Sequence, residues 1–217
     1  MYALMTLLSA GLEASAGVVS KKVGTARRRR AIHKAAPITG DTAGLREING
    51  RVTAGPGGPV TAPLSGRPCA WYSVTVYERY RAWRPGPFGP TDVIRDARVA
   101  QQFSGPLHVT GDTAAVRVDP RGAALELGDP VFSEFEDNPS GALAARIAAL
   151  LGDRLRPRHR DRTLGFLVEE HVVAVDDPLY VVGQARTELG DLVIGKPAMQ
   201  PFIITRPSPM QVPTGQD

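Results

Sequence analysis

The stretch Pro63 to Tyr80, PLSGRPCAWYSVTVYERY, constrains the fold more than any other part of the chain. A turn signal, Ser65-Gly66 followed by Arg67-Pro68, leads into a run with a period of two. Val74, Val76 and Glu78 fall on one parity, and Ser73, Thr75 and Tyr77 on the other. β-branched and aromatic residues in that alternation are what a half-buried strand requires. The only cysteine, Cys69, and one of the two tryptophans, Trp71, stand at its start. This is the central core strand, entered through a fixed turn.

The rest of the chain is punctuated for strands. Gly 23 and Pro 19 among 217 residues favour short strands and turns over long helices. The length allows one domain with tails, or at most two. A single cysteine excludes an internal disulfide and any Cys-rich zinc site, and fits a reducing compartment. Charge is uneven. Residues 1–35 carry seven basic side chains against Glu13, a net of +6, so the remaining 19 basic and 21 acidic residues leave the body at −2. A nucleic-acid-binding domain would carry its positive charge in the body, so nucleic acid is not the expected partner. A basic tail suits an anionic membrane surface or a solubilising linker.

Residues 2–19 place Leu4, Leu7, Leu8 and Leu12 at helical spacing, but Glu13 and the serines around it spoil a bilayer span. No basic region precedes them, so a secretory signal is not expected either. The readings are an amphipathic helix lying on a membrane or the worn remnant of an anchor, against a helix docked on the protein's own body. Arg27, Arg28, Arg29 and Arg30 follow, either as a cytoplasmic-side anchor and anion contact or as a solvated linker. The expected location is cytoplasmic or peripheral at a membrane.

Strands are expected over 45–54, 69–80, 93–103, 107–110, 114–118, 123–127, 165–175, 179–185, 192–194 and 202–205. Leu143, Ile147, Leu150 and Leu151 form one apolar stripe ended by Gly152, which predicts a helix near 140–151 capped by Asn138 or Ser140. Ala82 to Pro90, AWRPGPFGP, is a hairpin tip. Its Trp83 and Phe88 act either as an exposed contact site or, the reading placed first, as a lid over the core.

Chemistry is thinly signalled. Cys69 with His171 would make a Cys/His hydrolase, yet the apolar start of a strand makes Cys69 a buried small hydrophobe. His33, His108, His159 and His171 have no metal-site spacing. Glu169, Glu170 and His171 alternate across a strand, so only Glu169 and His171 share a face, and they read as a polar rim. The five arginines at alternate positions from Arg154 to Arg162 read as a solvated loop before an anion site. No catalytic residue, metal ligand or cofactor is assigned.

Four segments, PLSGRPCAWYSVTVYERY, FSGPLHVTGDTAAVRVDPRGA, EEHVVAVDDPLYVVGQA and IGKPAMQPFIITRPS, follow one another in an order that resembles the GIDE-type domain, also called the beside-a-membrane or BAM domain. It is found in the mitochondrial ubiquitin ligase Mulan and in many bacterial and archaeal proteins. The resemblance spans roughly residues 44–207 and implies a β-rich domain held next to a membrane. In the eukaryotic ligase a RING supplies ubiquitin transfer. One cysteine cannot supply the ligands of two zinc sites, and the usual flanking transmembrane helices are missing or degraded here.

The expected architecture is mainly β: an open barrel or sandwich of roughly eight to ten short antiparallel strands with one packed amphipathic helix. It runs over 44–207, between a basic N-terminal helix or tail over 1–35 and a disordered tail over 208–217. The expected function is a non-catalytic, membrane-adjacent sensing or scaffolding module. Trp71, Tyr72, Trp83 and Phe88 would bind a protein or small ligand. The alternatives are a component of a RING-dependent ubiquitin ligase system and the Cys69/His171 hydrolase.

Overall fold

The computed structural model describes residues 35–38, 43–137, 141–152, 159 and 162–207. The basic segment with Arg27 to Arg30 and the C-terminal tail lie outside these. So do the helix caps expected at Asn138 and Ser140, and most of the arginine-rich stretch.

Strands run in the order β1 (Ala36–Pro37), β2 (Gly44–Thr53), β3 (Val60–Thr61), β4 (Pro68–Cys69), β5 (Trp71–Arg84), β6 (Thr91–Phe103) and β7 (Leu107–Gly111). They continue as β8 (Ala115–Val118), β9 (Ala124–Glu126) and β10 (Phe132–Glu136). After helix α1 (Ala142–Leu151) come β11 (Thr163–Val173), β12 (Pro178–Glu188), β13 (Asp191–Gly195) and β14 (Ile203–Thr205).

The mainly β expectation holds, and the larger sheet closes on itself. Neighbours run β2-β7-β8-β13-β12, and β12 pairs back onto β2 to complete a five-stranded barrel. The closing ladder is antiparallel, from Pro178 opposite Arg51 to Ala185 opposite Gly44. Against β13, β12 needs a glycine. A Cβ on Gly183 would lie 2.6 Å from Ile194 Cγ2 and 2.8 Å from the Gly195 carbonyl. Ile48, Val52, Val109, Val118, Leu179, Val181 and Ile194 fill the interior. β14 and β9 extend the barrel wall beyond β12.

The second sheet has the order β10-β11-β5-β6, with the organising strand inside it. That strand is buried on both faces, not one. Trp71, Ser73 and Thr75 are buried, as are Val74, Val76 and Glu78 on the other parity. Trp71 belongs to the barrel core and stacks on Phe103 at a centroid distance of 5.6 Å. Val74 and Val76 pack in a second core with Leu143, Ile147 and Leu151 of α1. The expected stripe is therefore the one the helix buries. The helix starts at Gly141, with no side-chain cap, and ends at Gly152 with φ 52°.

The fixed turn before β5 is held from both sides. The carboxylate of Glu170, fully buried, accepts the Leu64 and Ser65 amides, each at 2.8 Å. From the helix, Arg146 donates to the Pro63 and Leu64 carbonyls at 3.1 and 2.7 Å. Gly66 supplies the positive φ of 71° that the turn needs.

Candidate functional site

The four aromatics expected to act together are separated by the strand that carries them. Trp71 and Trp83 lie at the two ends of β5, twelve residues apart, which at a strand rise of ~3.3 Å per residue is ~40 Å. Trp71 is fully buried and donates its indole N–H to the Gly105 carbonyl at 3.0 Å. Tyr72 is half-buried. Burial pushes its phenol above the usual tyrosine range, with Cys69 and Glu170 adding to the shift. Both serve the core. Trp83 and Phe88 are 64% and 91% exposed, so the tip is not a lid.

The reason is that β5 and β6 outrun their sheet. β11 pairs with β5 only as far as Thr163 opposite Tyr80. Beyond that point β5 and β6 continue alone, from Arg81 opposite Ile94 to Arg84 opposite Thr91. On this two-stranded extension Arg81 and Trp83 share a face with their opposite partners Ile94 and Asp92, and Ile94 is 66% exposed. At the tip, Gly86 and Gly89 exchange backbone hydrogen bonds at 3.1 and 3.2 Å. Trp83, Pro85, Gly86, Gly89 and Pro90 enclose an open hollow of about 370 Å³ that has no charged side chain in its lining.

The root of the projection is clamped. Glu78, fully buried, accepts the His159 amide at 3.0 Å, faces His159 Nδ1 at 3.1 Å and takes a short hydrogen bond from the Thr163 hydroxyl. The His159 ring stacks on Tyr80 at 3.5 Å between centroids. By sequence His159 reads as one member of a solvated arginine loop. Glu78 carried the missed signal, since a carboxylate on the parity of Val74 and Val76 has to be buried and therefore partnered.

The Cys69 and His171 pair is not assembled. The buried Cys69 thiol is directed at the Val60 carbonyl at 3.6 Å. Burial, with the Glu170 charge beside it, raises its pKa, the opposite of what activates a nucleophile. His171 sits opposite Ser73, and its Nδ1 has no hydrogen-bond partner among the described residues. Burial holds its imidazole below the ordinary value. Glu169 and His171 share a half-buried face, opposite Thr75 and Ser73, while Glu170 on the other face turns inward to hold the turn. Among the described residues no group of three or more His, Cys, Asp and Glu could hold a metal ion.

One further concavity, about 590 Å³, lies where the second sheet meets the barrel, between Gln101, Phe103 and Pro106 on one side and Arg117, Arg121 and Arg186 on the other. Its arginines are already engaged: Arg121 with Asp119 at 2.6 Å, Arg186 with Glu188 at 2.5 Å and Arg117 with Glu188 at 3.0 Å.

The family model GIDE, described as E3 Ubiquitin ligase, matches residues 92–214, more than half of the chain. The chain belongs to the GIDE family. No curated protein and no solved structure gives a significant match. The GIDE match begins on β6 inside the projecting hairpin and takes in β7, β8, β12 and β13 of the barrel, with β2 outside it. The 217 residues of this GIDE chain hold one cysteine, which does not provide the ligand set of a RING. No described helix is long and apolar enough to cross a membrane.

Proposed function

We propose that this GIDE chain is a non-catalytic, membrane-adjacent sensing or scaffolding module whose contact surface is the β5–β6 tip. The observation that carries this reading is the exposure of Trp83 and Phe88 at the end of a hairpin that outruns its sheet. The barrel is a rigid base for it, and the buried thiol and separated histidine offer no nucleophile. Participation in ubiquitin transfer, as the family description has it, would require a RING on another polypeptide or outside these residues. The test is a photo-cross-linker placed at position 88 and, as a control, at Leu189, an exposed residue in the turn between β12 and β13. In cells of the protein's source, position 88 is expected to give a discrete adduct that Trp83→Ala removes, and position 189 none. Equal labelling at both, or none at 88, overturns the reading.

A further inference from the structure

We propose that the β5–β6 tip docks on an anionic lipid bilayer. Trp83, Phe88 and Ile94 would seat at the boundary between headgroups and acyl chains, with Arg81, Arg84 and Arg95 against the phosphates. This rests on the reading of the tip as the contact surface and names its partner.

Three observations favour a bilayer. First, three of the seven large hydrophobics exposed on the described residues fall between 83 and 94. Singly exposed apolar side chains are ordinary, but a group of them on a projection marks a contact. Tryptophan in particular settles at the interfacial depth of a bilayer.

Second, the backbone of the tip presents few unbonded N–H groups to an apolar medium. A peptide group taken into an apolar medium has to carry its own hydrogen bonds or lack the donor. Pro85, Pro87 and Pro90 have no N–H. Gly86 and Gly89 satisfy each other's N–H and C=O groups. Between 85 and 90 this leaves the Phe88 amide as the one N–H without a backbone bond.

Third, the charges point the right way. Residues 81–95 hold Arg81, Arg84 and Arg95 against Asp92, three minus one, or +2. The body from residue 36 onward totals −2, so without the tip it stands at −4. An anionic surface attracts this end and repels the remainder of the body from residue 36 onward, which favours an orientation with the barrel held away from the lipid. The three arginines are exposed, as lipid phosphates require. The hollow inside the tip has no charged lining that would select a polar small molecule.

The experiment uses the full chain with vesicles of phosphatidylcholine, with and without phosphatidylglycerol, and with brominated phosphatidylcholine as a depth-sensitive quencher. Trp71 is buried in the barrel core and Trp83 is not, so quenching by bromine reports the tip. The expected result is binding that needs phosphatidylglycerol and weakens with salt, with partial quenching that Trp83→Phe removes. The double variant Trp83→Ala, Phe88→Ala should bind about tenfold more weakly or worse. Replacing Arg81, Arg84 and Arg95 by Gln should remove the preference for phosphatidylglycerol. Replacing Arg27 to Arg30 by Gln separates the tail's contribution and should leave the quenching in place. Circular dichroism checks that each variant is folded. Bound vesicles with Trp83 unquenched, wild-type affinity in the double alanine variant, or no binding at low salt would each overturn the proposal. If the vesicles fail while a cross-linker at position 88 captures a protein, the bilayer is wrong and the tip remains the contact surface. If position 88 captures neither lipid nor protein, both readings fall.

Discussion

Glu170→Gln is the sharpest probe of how the central strand is held in place. Glutamine keeps the shape and one acceptor oxygen, but it places an NH₂ where the second backbone amide now finds an oxygen. The Leu64 and Ser65 amides each sit 2.8 Å from the carboxylate, and Leu64 is 7% exposed, so water does not replace the lost partner. Losing one charge-assisted bond costs about 1.5–3 kcal/mol, and the second weakens with the charge. Against this stands relief from burying a carboxylate, itself several kcal/mol before its bonds are counted. Because both oxygens are matched to donors, we expect the bonds to win, for a net loss of about 2 kcal/mol, or roughly 4–8 °C in Tm for a chain this long. Urea unfolding followed by tryptophan emission measures it, since Trp71 passes from the core to water and Trp83 is exposed throughout. Arg146→Met removes the other hold on the same turn, so the double variant should depart from additivity by at least ~0.5 kcal/mol. The Glu170 charge is also the second cause, after burial, of the raised Cys69 pKa, so the thiol should move back toward its ordinary value. A variant as stable as the wild type, or more stable, with an unmoved thiol would refute the claim that this carboxylate pins the turn.

Gly183→Ala should cost ~1–3 kcal/mol in the same unfolding assay, because its Cβ meets Ile194 and the Gly195 backbone, whereas Gly57→Ala, with open space around it, should change stability by under ~0.5 kcal/mol. Native Cys69 should resist a disulfide reagent at pH 8 and react on unfolding; rapid labelling of the folded protein would contradict its burial. Stability should fall on both sides of neutrality. Burial holds His108 and His171 below the ordinary value, so below about pH 6.5 the unfolded chain takes up protons that the folded one does not, and stability drops as pH falls toward the depressed folded values. Above about pH 8.5 the unfolded Cys69 releases its proton while the folded one, with its raised pKa, keeps it, so stability drops again. Glutamine at 108 and 171 should flatten the acid limb of a Tm-against-pH curve, and an unchanged limb would remove those histidines from the account. Thr163→Val with His159→Ala should lower hydrogen-exchange protection at the root, residues 77–80, while leaving 71–76 protected; equal loss at both would make the Glu78 clamp a global brace.

The parts legible in the sequence are those set by near neighbours. The helix stripe of Leu143, Ile147 and Leu151 and most strands stood out because a 3.6 or 2.0 period needs only adjacent residues to be read. Barrel closure pairs residues 44–51 with 178–185, and nothing within either segment names the other. The same absence of long-range information hid the burial of Ser73 and Thr75. Their polarity indicated an outer face, but that face of β5 meets the barrel, where strand–strand hydrogen bonds and cross-strand neighbours enclose them. The short β10, Phe132–Glu136, escaped because it alternates weakly and owes its pairing to β11. The separation of Trp71 from Trp83 was available from strand rise alone once β5 was allowed to run past Tyr80; proline density in AWRPGPFGP drew the boundary too early.

The two halves of β5 follow different physical rules, and the change comes at Tyr80. Up to that residue the strand has neighbours on both edges, and although the Ser73 hydroxyl is buried without a partner among the described residues, a buried carboxylate cannot be left so. Glu78 meets that demand with Thr163 and His159. Past it the strand keeps one neighbour and no cover. A lone two-stranded ribbon is marginal in water, so the extension needs its root held rigid. Burying Glu78 one residue before the last rows of β11 does this, because its partners come from β11 and from the segment that precedes it. The clamp joins three separate stretches of chain at the base of the projection. An exposed Trp and Phe on a loose ribbon would tend to fold back onto the nearest apolar surface. On a braced ribbon they stay where they are found, pointing away from the protein.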